Sequence, residues 1–107
     1  MIHSNQLPIP NAVYGPSKAA ASWYLVRING EDEWLHSFGL SPGLVDTDLG
    51  TRGAEGLLDR GVDKAFIDSL MVTVETSCDG MMKVLAGTNK ADHGGKLLLY
   101  TGEVTPW

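Results

Sequence analysis

The sequence predicts an α/β fold built around parallel strands, and the order of its segments carries that prediction. An alanine-rich helical segment comes first, and two short apolar runs follow it with an apolar helical stripe between them. Two apolar strands separated by a helix favour parallel pairing through a crossover connection. A two-stranded parallel sheet would be unusually small, so the pattern predicts one edge of a larger sheet.

Residues 1–12 contain two prolines and two asparagines and predict a loop. From there the pattern becomes helical over residues 13–29, where consecutive alanines are strong helix formers. Pro16 falls in the first turn or so of this helix, where a missing N–H costs least. Asn29 and Gly30 predict its end, because glycine suits the left-handed position that follows many helices.

Residues 34–40 predict a short strand that turns at residues 41–43, which read Ser-Pro-Gly. Residues 44–61 are rich in glycine, aspartate and threonine and predict a long loop with one short helical turn near its end. Residues 64–70 predict a short helix.

Thr73 is a candidate N-cap for a second long helix that ends at Gly87. The helix carries an apolar stripe, which predicts a buried face: Val74, Cys78, Met81, Met82 and Leu85. Cys78 is expected to behave as a small buried hydrophobe. The final apolar run lies within residues 95–101 and predicts the last strand, buried on both faces.

Composition narrows the function classes. The chain has 107 residues, enough for one small domain, and a net charge of −5. Its eight lysines and arginines are scattered, whereas nucleic-acid binding normally needs a basic patch. We therefore expect no nucleic-acid partner.

The single cysteine excludes an internal disulfide and fits a reducing compartment. No apolar run approaches the length of a membrane span, and the first residues carry no export signal pattern. The sequence thus predicts a cytoplasmic protein without a membrane partner. The three histidines have no carboxylate or cysteine at metal-ligand spacing, so we predict no metal.

Tyr14 and Lys18 are four residues apart, so on a helix they lie on one face, one turn from each other. A free tyrosine is too weak an acid to exchange protons readily near neutral pH. A nearby ammonium group stabilises the phenolate, and such a pair can serve as a general acid and base. The same spacing also arises often by chance on surface helices, so the pair alone does not establish a catalytic site.

Three segments together resemble the short-chain dehydrogenase/reductase family. Residues 14–20, Tyr-Gly-Pro-Ser-Lys-Ala-Ala, resemble its Tyr-x-x-x-Lys segment. Residues 41–47, Ser-Pro-Gly-Leu-Val-Asp-Thr, resemble its strand ending in Pro-Gly, and residues 95–102 with the final Pro-Trp resemble its last strand and tail. The resemblance covers nearly the whole chain, and it is nearest to fungal norsolorinic-acid-ketoreductase-like and small carbonyl reductases.

The resemblance implies a fold and a set of roles. The fold would be the C-terminal portion of a Rossmann-like, doubly wound parallel sheet, with the N-terminal half missing. Tyr14 would protonate the substrate carbonyl, and Lys18 would bind the nicotinamide ribose and make the tyrosine a stronger acid. Ser17 would be a residue of the helix surface.

The Pro-Gly segment would then contact the cofactor. Pro42 and Gly43 would shape the turn beneath the nicotinamide, Val45 would offer backbone groups to the carboxamide, and Thr47 would offer its hydroxyl. An ordinary turn at Pro42-Gly43 and a helix N-cap at Thr47 remain the alternatives. Residues 44–70 would form a flap over the substrate. Five of its apolar residues could line a pocket or could equally be packing residues: Leu49, Leu57, Leu58, Phe66 and Leu70.

Other parts of the family pattern are not found in the sequence. Its glycine-rich turn after a first strand has no counterpart, because Gly50, Gly53 and Gly56 are expected to lie in a loop. The family's catalytic serine has no clear counterpart either, since only Ser4 lies somewhat near the expected distance before Tyr14.

These features predict an NAD(P)(H)-dependent oxidoreductase acting on a small carbonyl or alcohol, with NADP(H) favoured over NAD(H). It is predicted to be a truncated chain that is inactive alone, because the dinucleotide-binding half is absent. The alternatives are a non-catalytic chain that pairs or interferes with a full-length relative, and an inert product of gene truncation. The helix bearing Tyr14 would be the surface for a homo-oligomer, because relatives commonly use it in that way.

Overall fold

The computed structural model describes residues 13–106, so the predicted loop at 1–12 lies outside the described residues. In chain order, the elements are α1 (Tyr14–Glu31), β1 (Gly39–Ser41), β2 (Leu44–Val45), α2 (Asp48–Asp59), α3 (Lys64–Leu70), β3 (Met71–Val72), α4 (Val74–Gly87), α5 (Lys90–His93), β4 (Leu97–Leu99) and β5 (Val104–Thr105). None of the helices between residues 13 and 106 has the length and apolar character to cross a bilayer.

The predicted α/β class with parallel pairing is confirmed. β1 pairs in parallel with β4, with Leu40 opposite Leu98, and β5 adds to the far side of β4 in antiparallel orientation. A second, two-stranded parallel sheet joins β2 to β3. The chain connecting β1 to β4 contains α4, which provides the helical crossover that a parallel pair requires.

The first helix runs two residues further than the sequence indicated. Gly30 remains helical, and the helix closes where the Asp32 N–H bonds to the Ile28 carbonyl. Arg27 and Glu31 form an ion pair one turn apart across this end, which supports the extra residues. No residue of α1 is buried.

The strand predicted over residues 34–40 is displaced and short, since only Gly39–Ser41 pair with β4. The preceding residues have other hydrogen-bond partners. The Ser37 N–H donates to the Asn29 side chain, and the Ser37 carbonyl accepts from the Gly95 N–H. The first bond ties the segment to the end of α1, and the second ties it to the residues just before β4.

The prediction of a long loop over residues 44–61 is wrong, because α2 occupies most of it. Thr47 caps this helix and Asp48 lies in its first turn, and both stabilise a helix N-terminus. One face packs inward at Ala54, which is 7% exposed. Capping and burial together outweigh the helix-weakening effect of the three glycines, which lie in α2 and not in a loop.

The prediction that the apolar stripe of α4 is buried is also wrong for the described chain. Met82 is 65% exposed, Leu85 is 52% exposed and Cys78 is exposed. The buried residues of α4 are Ser77 and Val84 instead. They lie on the face that carries Gly80, and this face packs against the Pro42 carbonyl and Tyr100.

The buried apolar core of the described residues is small and spreads over α2, α3, α4 and β4. Its members are Ala54, Ile67, Val84 and Leu98. Leu98 at the centre of β4 is 2% exposed, whereas its neighbours Leu97 and Leu99 are half-buried. Of the strand predicted at 95–101, only Leu97–Leu99 form a strand, and β5 follows it.

We predict that Gly80→Ala destabilises the chain although alanine is the better helix former. A Cβ at this position would lie 2.3 Å from the Tyr100 carbonyl oxygen, which is backbone and cannot easily move. Overpacking of this kind costs about 1–3 kcal/mol of unfolding free energy, measurable by urea titration. Gly53→Ala is the matched control, because nothing lies within 4 Å of its added methyl.

In the control, the unfolding free energy should rise by up to about 1 kcal/mol, the propensity difference between glycine and alanine. Equal, stabilising effects at both positions would contradict the packing of α4 against Tyr100.

Candidate functional site

The turn after β1 is held in an unusual conformation. Gly43 has φ +79°, a left-handed backbone that glycine adopts without strain. A Cβ there would also lie 2.8 Å from the ring of Tyr100. Tyr100 stands beside the turn because its N–H bonds to the Ser41 carbonyl at 2.9 Å, continuing the β1–β4 pairing. Conformation and packing therefore both require glycine at position 43.

A buried serine fixes the other side of the same turn. Ser77 of α4 is 1% exposed, and its Oγ donates to the Pro42 carbonyl at 2.7 Å. The bond joins residues 35 apart in sequence. It holds the proline carbonyl against α4 and so fastens the strand end to the helix.

The next segment turns directly from β2 into α2. The Thr47 Oγ accepts from the Gly50 N–H at 3.2 Å, so the N-cap considered for this residue is present. The Val45 carbonyl accepts the Thr47 N–H at 2.8 Å. Gly50 passes so close to that carbonyl that an added Cβ would lie 1.8 Å from its oxygen. The Val45 carbonyl is thus engaged by the residues that open α2.

A groove of about 450 Å³ opens beside these residues and brings together four of the six predicted cofactor contacts, those of the Pro-Gly segment. Its lining consists of Pro42, Gly43, Leu44, Val45, Thr47, Leu49, Gly50, Val74, Ser77, Cys78 and Met81. The lining is largely apolar, and Thr47, Ser77 and Cys78 are the residues in it with polar side chains. Leu49 at its rim is 80% exposed.

The part of this groove contributed by α4 was not predicted. Val74, Cys78 and Met81 belong to the apolar stripe for which the sequence predicts burial. The stripe itself was the signal, since an apolar helix face can line a groove as readily as it can pack inside a core. Ser77 had no such signal, because a serine within a helix gives no indication of a distant partner.

The predicted acid/base pair lies in the first turns of α1. The Lys18 Nζ stands over the ring of Tyr14, 5.5 Å from its centroid. Tyr14 is 65% exposed, and a cation over an exposed ring contributes about 0.5–1 kcal/mol. Ser17 donates to the Tyr14 carbonyl at 2.7 Å, so its hydroxyl is occupied by its own helix. Neither Tyr14 nor Lys18 lines the groove.

Among residues 13–106, no three histidine, cysteine, aspartate or glutamate side chains are grouped so that they could hold a metal ion. The site built by the described residues is therefore an apolar groove with a shaped backbone turn, together with a tyrosine–lysine pair on a separate helix.

Comparison with known proteins agrees with the motifs. The chain is 32% identical over 99 residues to norsolorinic acid ketoreductase of Dothistroma septosporum. It is 30% identical over 95 residues to a short-chain dehydrogenase of Pyricularia oryzae. These matches cover 92% and 88% of this chain. The chain is short-chain dehydrogenase-like.

A solved structure supports the same assignment for this short-chain dehydrogenase-like chain. The NADPH-bound carbonyl reductase from chicken fatty liver superposes with a TM-score of 0.66 and 30% identity over 88% of the chain. No protein-family model matches the chain. The chain spans about a third of the length of the relatives it matches, 34% and 35% of the two fungal proteins and 32% of the reductase.

The resemblance inferred from the Tyr-x-x-x-Lys and Pro-Gly segments is thereby confirmed, including its direction toward ketoreductases and carbonyl reductases. The roles of individual residues stay predictions. The structure gives the positions of the groove residues and of the Tyr14–Lys18 pair, on which those predicted roles depend.

We predict that Ser77→Ala destabilises the chain, because it removes the buried hydroxyl that donates to the Pro42 carbonyl. The expected loss is about 1–3 kcal/mol of unfolding free energy, measured by urea titration. Ser69→Ala is the matched control, since Ser69 makes a similar hydroxyl-to-carbonyl bond to Phe66 in an exposed position. Its effect should stay within about 0.5 kcal/mol. Equal losses in the two variants would mean that the Ser77 bond does not fasten the turn.

Proposed function

We propose that the chain supplies the acid/base pair and the nicotinamide-contacting groove of an NADP(H)-dependent oxidoreductase that interconverts a small carbonyl compound and its alcohol. The main observation in support of this proposal is the groove, because four of the predicted cofactor contacts line it together: Pro42, Gly43, Val45 and Thr47. The tyrosine–lysine pair on α1 and the ketoreductase and carbonyl reductase relatives support the same reaction class.

The groove fits the nicotinamide end of such a cofactor. Its volume of about 450 Å³ lies within the range of ordinary small-molecule sites, and its apolar walls suit the flat face of an aromatic ring. The turn brings backbone close to that space, and the Thr47 hydroxyl can hydrogen-bond an amide. NADP(H) is favoured because the structural neighbour holds NADPH.

Residues of this chain transfer the proton in the proposed reaction. When bound, the reduced cofactor supplies a hydride to the carbonyl carbon. The Tyr14 hydroxyl donates its proton to the carbonyl oxygen as negative charge develops there, giving the alcohol and a phenolate. The Lys18 ammonium lies one turn away, where it stabilises that phenolate and can bond the ribose hydroxyls. In alcohol oxidation the same phenolate takes the proton back.

A second candidate is a non-catalytic role, in which the chain pairs with or interferes with a longer relative. The exposed surface of α1 favours it, because no residue of this helix is buried and Trp23 and Tyr24 are each 61% exposed. A homo-oligomer through the same helix is the related proposal.

We predict that the purified chain binds NADPH saturably, followed by nucleotide fluorescence. Lys18→Met should weaken binding about 10-fold or more, equivalent to about 1.4 kcal/mol, because it removes the ammonium that holds the ribose. Lys83→Met on α4 is the control for a general loss of positive charge, and its dissociation constant should match that of the original chain. No binding from a sample that is folded by circular dichroism would reject the proposal and favour the pairing role.

We predict that Tyr14→Phe, made in a complete version of the protein that includes the dinucleotide-binding half, lowers carbonyl turnover by about 10² or more, because the proton donor is lost while the ring is kept. NADPH affinity should change little. Tyr24→Phe is the matched control on the same helix, with a similarly exposed ring. Retained turnover in Tyr14→Phe would reject the acid/base assignment without affecting the cofactor groove.

A further inference from the structure

Four oxygen atoms at and just beyond the C-terminal end of α1 surround one ammonium group. The Lys90 Nζ donates to the Asn29 carbonyl at 2.5 Å, the Leu35 carbonyl at 2.6 Å and the Asp32 carbonyl at 3.1 Å. The Asn29 side-chain oxygen lies at 3.2 Å from the same nitrogen. Lys90 opens α5 and is half-buried, and these partners lie 55 to 61 residues before it.

The Lys90 ammonium provides hydrogen-bond donors and positive charge at the end of the helix. The last carbonyls of a helix have no partner within it, and they carry the negative end of its dipole. A lysine ammonium has three donors and a positive charge, so it satisfies both requirements. Bonds to a charged donor are also stronger than neutral ones.

The Asn29 side chain extends the connection to the sheet. Its oxygen accepts from the Ser37 N–H at 3.2 Å, and the Ser37 carbonyl accepts from the Gly95 N–H at 2.7 Å. Gly94 packs against this side chain so closely that an added Cβ would lie 2.4 Å from its nitrogen. We call Asn29, Ser37, Lys90 and Gly94 the helix-end clamp.

The clamp matters because apolar packing does not hold α1 firmly, since none of its residues is buried. Tyr14 lies fifteen residues before Asn29, a lever of about 22 Å at 1.5 Å per residue. A tilt of about 10° at the clamp would therefore move the tyrosine by about 4 Å. A misplacement of about 1 Å can already cost about 10² in rate.

We propose that Lys90 is a positioning residue: by clamping the C-terminal end of α1, its ammonium fixes where Tyr14 and Lys18 stand relative to the groove. The catalytic consequence rests on the proposed function, whereas the clamping itself can be measured without it.

The test uses two spin labels in the whole chain, one on the native, exposed Cys78 in the groove and one on Ala21→Cys in α1. Pulsed electron paramagnetic resonance measures the distance distribution between them. Lys90→Met keeps the length of the side chain and removes the ammonium. Ala21 lies about 12 Å before Asn29 along the helix, so a tilt of about 10° should broaden or shift the distribution by about 2 Å.

Lys96→Met is the matched control. Lys96 also donates to a backbone carbonyl, that of Asp92, and among the described residues its side chain has no hydrogen bond to α1. The distribution should stay as narrow as in the unmodified background. Lys90→Arg restores a charged donor, so its distance distribution should lie at least halfway from that of Lys90→Met back to that of the chain with Lys90. If Lys90 acted only through packing of its side-chain stem, restoring the charge would not have this effect.

Should Lys90→Met fail to fold, Asn29→Ala provides a second variant, because it removes one acceptor and the Ser37 bond and should broaden the distribution to a smaller extent. An unchanged distribution in folded Lys90→Met or folded Asn29→Ala would overturn the clamp, whatever the NADPH titration shows. Broadening in a chain that does not bind NADPH would instead leave the clamp in place and reject the proposed function.

Discussion

The parallel pairing of β1 with β4 is the interaction on which the rest of the described structure depends. Its register continues past the strands, so that the Tyr100 N–H reaches the Ser41 carbonyl and places the tyrosine ring beside Gly43. A parallel pair requires a long crossover, and α4 within that crossover brings Ser77 to the Pro42 carbonyl. The groove wall is thus a direct result of how two three-residue strands are paired.

Local signals in the sequence predicted the features that depend on neighbouring residues. The Tyr14–Lys18 spacing, the Thr73 cap and the Pro42–Gly43 turn all act within four residues of chain, and the structure contains each of them. The helix α2 was missed because its three glycines argue against a helix locally. Its stability comes from the Thr47 cap and from burial of one face, and burial is not visible in a single segment.

The candidate site was predicted only in part for the same reason. Its strand-end residues follow from one motif, whereas the wall from α4 depends on contacts across 35 residues, such as that between Ser77 and Pro42. The apolar stripe of α4 was recognised but assigned to the core, since periodicity reports that a face is apolar and not what covers it. Lys90 likewise had no signal, because its partners are backbone carbonyls of a distant helix end.

The contact between Gly43 and Tyr100 constrains how this turn can evolve. The ring occupies the space that a side chain at position 43 would need, and the backbone there has φ +79°. A smaller residue at position 100 would remove the steric conflict, yet the left-handed backbone would still favour glycine. The constraint therefore acts in one direction. Tyr100 can be substituted while Gly43 is kept, but Gly43 can be substituted only after both the tyrosine ring and the backbone conformation at position 43 have changed.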